Sequence, residues 1–81
     1  MDWCLVSFAS ASGAIAAQKA LRDVCKAEVM PVLRQVSAGC GIALRLKPQD
    51  VDKAKIALAE LPGWQCWAVA GTGEALRCER L

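Results

Sequence analysis

Hydrophobic and polar positions change period several times along the chain, and each change marks an element. Trp3 to Phe8 is a short, mostly apolar run without helical spacing, as expected of a strand. Ser10 follows in the position of a helix N-cap. From residue 11 to about residue 25, Ala14, Ala17, Leu21 and Val24 recur at the three-to-four spacing of one helix face. Residues 28 to 32 form a second β-like run. Ile42, Leu44 and Leu46 then alternate with Ala43 and Arg45, which predicts a third strand with one buried face. Lys47-Pro48 opens a second helix, because proline is tolerated in a first turn, and Val51, Ala54, Leu58 and Leu61 supply its apolar stripe. Pro62-Gly63 ends that helix, and Trp64 to Ala70 is a fourth strand.

The order βαββαβ predicts an α+β fold, a ferredoxin-like sandwich in which one antiparallel sheet carries two helices on one face. The sandwich occupies residues 1–70. Residues 71–81 form a C-terminal tail or an extra edge strand. A turn at Gly71-Thr72-Gly73 sets the tail antiparallel to the fourth strand, with Cys78 opposite Cys66. On the sheet face away from the helices, Trp3, Leu5 and Ala43 are expected to join a tryptophan of the fourth strand in an open apolar patch suited to a homodimer.

Composition narrows the function. At 81 residues the chain has room for one core and no second domain. A net charge of +2, with acids and bases interspersed, provides no basic stripe for a phosphate backbone, and no nucleic-acid partner is expected. The leading residues do not have the make-up of a secretory signal, and no run reaches membrane-spanning length, so a cytoplasmic location and no membrane partner are expected. The five cysteines contain no C-x-x-C pair, and the chain has no histidine. That pattern points away from a disulfide framework, a metal site or a Cys-His hydrolase. No cofactor is implied.

One thiol has a setting suited to chemistry. Cys40 lies between Gly39 and Gly41 in the loop joining the second and third strands. The glycines remove steric cover and let backbone N–H groups approach the sulfur, and Arg34 adds a positive charge that favours the thiolate. In the expected sandwich this loop shares an end with the N-terminus of the first helix. The sulfur would lean toward residues 10–13, where free N–H groups and the helix dipole favour an anion. A thiol of pKa ~8.5 falls to about 3.5–7.5 in such surroundings. Cys4, Cys25 and Cys66 lie in apolar runs and read as small buried hydrophobes.

The run Met30-Pro31-Val32-Leu33-Arg34-Gln35-Val36-Ser37-Ala38-Gly39-Cys40-Gly41-Ile42-Ala43-Leu44-Arg45, together with Ala14 to Leu21, resembles the selenium/sulfur (Se/S) carrier protein-like family, a small domain of unknown function. The resemblance covers residues 3 to about 70. Arg34, Ser37, Cys40, Gly41 and Arg45 stand at the family's spacing, while Leu33 takes the place of an expected second proline. The resemblance implies a carrier rather than a catalyst, one that holds a persulfide or selenosulfide on Cys40. Arg34, Ser37, Gly39 and Gly41 would form the cargo pocket, and sulfur or selenium donor and acceptor proteins would be the partners. Two other functions fit the same fold: a noncatalytic module that binds a small anion, and a protein-interaction module. Arg45 is expected to project from the sheet face away from the helices.

Overall fold

The computed structural model describes residues 1–33, 36 and 41–81. The elements follow in the order β1 (Trp3–Phe8), α1 (Ala11–Leu21), β2 (Glu28–Pro31), β3 (Ile42–Leu46), α2 (Val51–Leu58), β4 (Trp64–Ala70) and β5 (Arg77–Arg80). The five strands form one open antiparallel sheet in the order β2-β3-β1-β4-β5. β1 is central. It pairs Cys4 with Leu46 and Val6 with Leu44 on one side, and Leu5 with Trp67 and Phe8 with Trp64 on the other.

The helices form where local chemistry allows. Ser10 is extended, and its hydroxyl accepts from the Gly13 N–H at 3.2 Å, a cap worth about 1 kcal/mol. The first helix is shorter than its periodicity predicts. The Leu21 carbonyl accepts from both Val24 N–H at 3.0 Å and Cys25 N–H at 3.2 Å, so the ladder tightens into a turn and stops. Val24, expected on the buried face, is 37% exposed in that turn. Before α2, Pro48–Asp50 form a 3-10 turn with proline at its start.

Alternation along the strands sorts side chains to two faces. Cys4, Val6, Leu44, Leu46 and Cys66 pack against Ala17 and Leu21 of α1 and Val51, Ala54 and Leu58 of α2, so both helices lie on this face. The opposite face is closed as well. Leu5, Ala43 and Val69 are fully buried there beneath Trp3, Trp67, Leu76 and Cys78, and beneath Val32, Leu33 and Val36 from the segment after β2. The third strand is therefore covered on both sides, rather than having the one buried face its alternation predicts. The tryptophan of β4 that joins Trp3 and Leu5 is Trp67, and both tryptophans remain partly exposed over the buried cluster.

β5 runs back along β4 with Cys78 opposite Val69, not opposite Cys66 as expected. The expected register assumed a three-residue turn. Six residues separate the strands, Gly73–Ala75 forming a 3-10 turn within them, and the longer connection shifts the pairing. Gly71, at φ +82°, starts that connection, and its N–H donates to the Asp2 carboxylate at 2.9 Å.

Candidate functional site

Cys40, Arg34, Ser37 and Gly39 lie outside the described residues, as does the expected approach of the Cys40 sulfur to residues 10–13. What the fold fixes is the frame around them. Pro31 pairs with Ile42, and Val32 N–H donates to the Gly41 carbonyl at 3.2 Å, so the two strands stay joined up to the start of the connection. Ala43, one residue further on, pairs with Ser7, and Phe8 pairs with Trp64. Both ends of the cysteine-bearing segment therefore sit at the end of the sheet where β1 leads into Ser10 and α1.

Three features gather at that end. The α1 N-terminus is capped by Ser10, whose hydroxyl lies 3.0 Å from that of Ser12, and no acidic residue occupies the first turn. Ala9 N–H donates to the Gly63 carbonyl at 2.8 Å, tying the start of α1 to the turn before β4, where Gly63 takes φ +76°. A cavity of about 480 Å³ opens here, lined by Ser7, Phe8, Ala9, Gly63, Trp64 and Gln65.

Gly41 is exposed, and a Cβ placed on it would meet Val32 Cγ1 at 3.5 Å, an ordinary contact. Backbone strain does not demand glycine at this position. Val32, Leu33 and Val36 carry the segment onto the face away from the helices, where Val36 N–H closes a turn on the Leu33 carbonyl at 3.0 Å. Those three apolar residues were the available signal for this path, since they interrupt an otherwise polar connection.

The other four thiols are free and hindered. Cys4 and Cys66 are buried side by side under the helices. Cys4 is pushed far above the ordinary thiol range, first by the hydrogen bond it shares with Cys66 and then by burial. The same bond draws Cys66 down against the effect of its burial. Burial raises Cys25, with Asp50 adding to the effect, and burial raises Cys78. Among the described residues, no cluster of cysteines and carboxylates could hold a metal ion.

Arg45 projects from the face away from the helices, as expected, and its guanidinium lies 4.7 Å above the Trp3 ring. On the same face, Trp67 Nε1 donates to Ser7 Oγ at 2.9 Å.

Residues 3–62 match the family described as "Putative Se/S carrier protein-like". The chain belongs to that family. The match runs from β1 through the end of α2 and stops before β4, short of the span to residue 70 that the motifs suggest. It includes the whole cysteine-bearing segment. No curated protein and no solved structure matches the chain. No helix among the described residues is long and apolar enough to cross a membrane.

Proposed function

We propose that the protein carries sulfur or selenium as a persulfide or selenosulfide on Cys40, between a donor and an acceptor protein. The single observation behind this reading is the family match, which spans the segment holding Cys40 between Gly39 and Gly41. In the reaction, the Cys40 thiolate attacks the terminal sulfur of a donor persulfide, R–S–SH. The new S–S bond forms as the old one breaks, R–S⁻ leaves, and the sulfane sulfur changes hands without net oxidation. The same exchange onto an acceptor thiolate returns Cys40 to its starting state. A selenium cargo follows the same exchange.

Arg34, Ser37 and the backbone at Gly39 and Gly41 serve as the pocket for the anionic terminal sulfur. The capped α1 N-terminus at the same end of the sheet supports an anion nearby. The chain has no histidine to act as a general base on the cargo, which suits a carrier better than a catalyst. Four thiols kept free in the fold agree with a reducing, cytoplasmic setting. The first six elements, with strand order β2-β3-β1-β4 and each helix linking two parallel strands that have one other strand between them, are read as a ferredoxin-like unit to which β5 is added.

The test is peptide mapping by mass spectrometry after incubation with glutathione persulfide. One added sulfur on Cys40, removed by dithiothreitol and lost in Cys40→Ser, is the expected result. Sulfur distributed over Cys25 and Cys78, or none on Cys40, would overturn the proposal.

A further inference from the structure

The two helices do not cover the sheet evenly. α1 packs over β1 and β3, which leaves the helix-side face of the edge strand β2 open. Val29, which pairs with Leu44 and so points to that side, is 52% exposed, and Ile15 on α1 is 51% exposed. Along α1 lies a trough of about 490 Å³. Its floor is apolar, formed by Leu21, Cys25 and Ala27. Its walls carry Lys19, Arg22 and Lys26, and none of its lining residues is acidic.

Lys26 also lines a second cavity of about 340 Å³, which adds Arg45 and Lys47. Five of the chain's ten basic residues thus line two adjoining hollows at the end of the sheet remote from the cysteine-bearing segment. Two acids line the second hollow, and both are engaged. Asp2 accepts from Gly71 N–H at 2.9 Å, and Glu28 lies 3.9 Å from Lys26 Nζ. The trough along α1 therefore presents cationic walls over an apolar floor, and the second hollow, with three bases against two acids, adds a smaller positive charge beside it.

We infer that this trough docks an acidic segment of a partner protein, one that carries aliphatic side chains among its carboxylates. The walls select the charge. The floor, with Val29 and Ile15 beside it, selects the aliphatic anchors, which a phosphate backbone lacks. Trp3, the aromatic side chain lining these hollows, is occupied by the Arg45 guanidinium and offers no free stacking surface to bases. A segment seated here leaves the opposite end of the sheet accessible. The inference goes beyond the carrier reading and holds whether or not Cys40 carries sulfur.

The experiment titrates the ¹⁵N-labelled full chain with a synthetic peptide of alternating glutamate and leucine residues. It is repeated with a counterpart in which serine replaces leucine, and with oligothymidylate. Saturable amide shifts at Ile15, Lys19, Arg22, Lys26 and Val29, with Kd below about 1 mM, are expected. The serine peptide should bind at least about fivefold more weakly, and Arg22→Glu combined with Lys26→Glu should weaken binding at least about tenfold. Arg77→Glu combined with Arg80→Glu on β5, the same change in net charge away from the trough, should stay within about twofold. Amide dispersion in each variant separates lost binding from lost fold, and the serine peptide tests the wild-type chain alone. Absence of saturation, shifts centred elsewhere, equal binding of the two peptides or preference for oligothymidylate would each overturn the inference.

Discussion

The guanidinium carbon of Arg45 stands 4.7 Å from the centre of the Trp3 ring, joining the strands β3 and β1 on the sheet face away from the helices. Cys4 and Leu46 pair directly, and Arg45 pairs with Leu5, so Trp3 and Arg45 meet on the diagonal. Arg45 is exposed and Trp3 half-buried. Such a contact contributes about 0.5–1 kcal/mol. Arg45→Ala should lower the free energy of urea unfolding by that amount, and a loss above about 2 kcal/mol would assign Arg45 a different structural role.

Gly71 and Gly73 both take positive φ, at +82° and +58°, yet they differ in space. A Cβ at Gly71 collides with the Ala75 carbonyl, whereas one at Gly73 meets nothing within 4 Å. Gly71→Ala should cost more than the roughly 1–3 kcal/mol that an unfavourable backbone conformation carries by itself, and Gly73→Ala should stay within that range. Thermal unfolding of the two variants compares them directly. Equal costs would place the Gly71 turn elsewhere.

Leu58 is fully buried between the helices and the sheet, while Ile56, two residues earlier on α2, is 79% exposed. Leu58→Ala should destabilise by about 2–5 kcal/mol, because it removes buried methyl groups and leaves a cavity. Ile56→Ala should fall within about 0.5 kcal/mol of wild type. A cost at Ile56 comparable to that at Leu58 would mean that another surface covers α2.

Burial raises the Cys25 thiol above its ordinary value of 9.0, Asp50 raises it further, and Lys53 pulls the other way. The folded state then holds the thiol proton to higher pH than the unfolded chain. The stability this contributes is complete below the unfolded pKa and disappears as pH rises through the folded value. Alkylation of Cys25 should therefore show a pH midpoint above 9.0, lower in Asp50→Asn and higher in Lys53→Gln. Cys25→Ala should flatten the decline of stability on the alkaline side. A midpoint unchanged by Asp50→Asn would remove that carboxylate from the thiol's surroundings.

Local chemistry was enough to read much of the fold. The apolar run from Trp3 to Phe8 and the run after the Pro62-Gly63 break placed β1 and β4 at their observed limits, the Ser10 hydroxyl marked the start of α1, and the α2 stripe of Val51, Ala54 and Leu58 is the buried set. The misses lie where nonlocal geometry decides. Val24 and Cys25 keep the helical phase of α1, so nothing in the periodicity announces the tightened turn at Leu21. The pairing of Cys78 with Val69 depends on the conformation of the six residues between β4 and β5, which composition does not determine. Of the residues read as a sulfur site, Gly41 is placed, and the motif around it is legible because glycine, cysteine and arginine have distinct chemistry even in one sequence. The basic trough escaped because Lys19, Arg22 and Lys26 come from α1 and the turn after it, while Arg45 and Lys47 come from β3 and its exit. Only the sheet order brings the two sets together.

The family match ends at residue 62, yet β1 is central only because β4 and β5 follow. A chain cut after α2 would turn β1 into an outer strand, strip Cys66 and Trp64 from the helix-side core, and remove Trp67 and Val69 from above Leu5. The bare backbone of β1 would then recruit a replacement strand, and the nearest supply is another copy of the same chain. The last 19 residues thus cover a strand edge that the matched unit alone would leave bare.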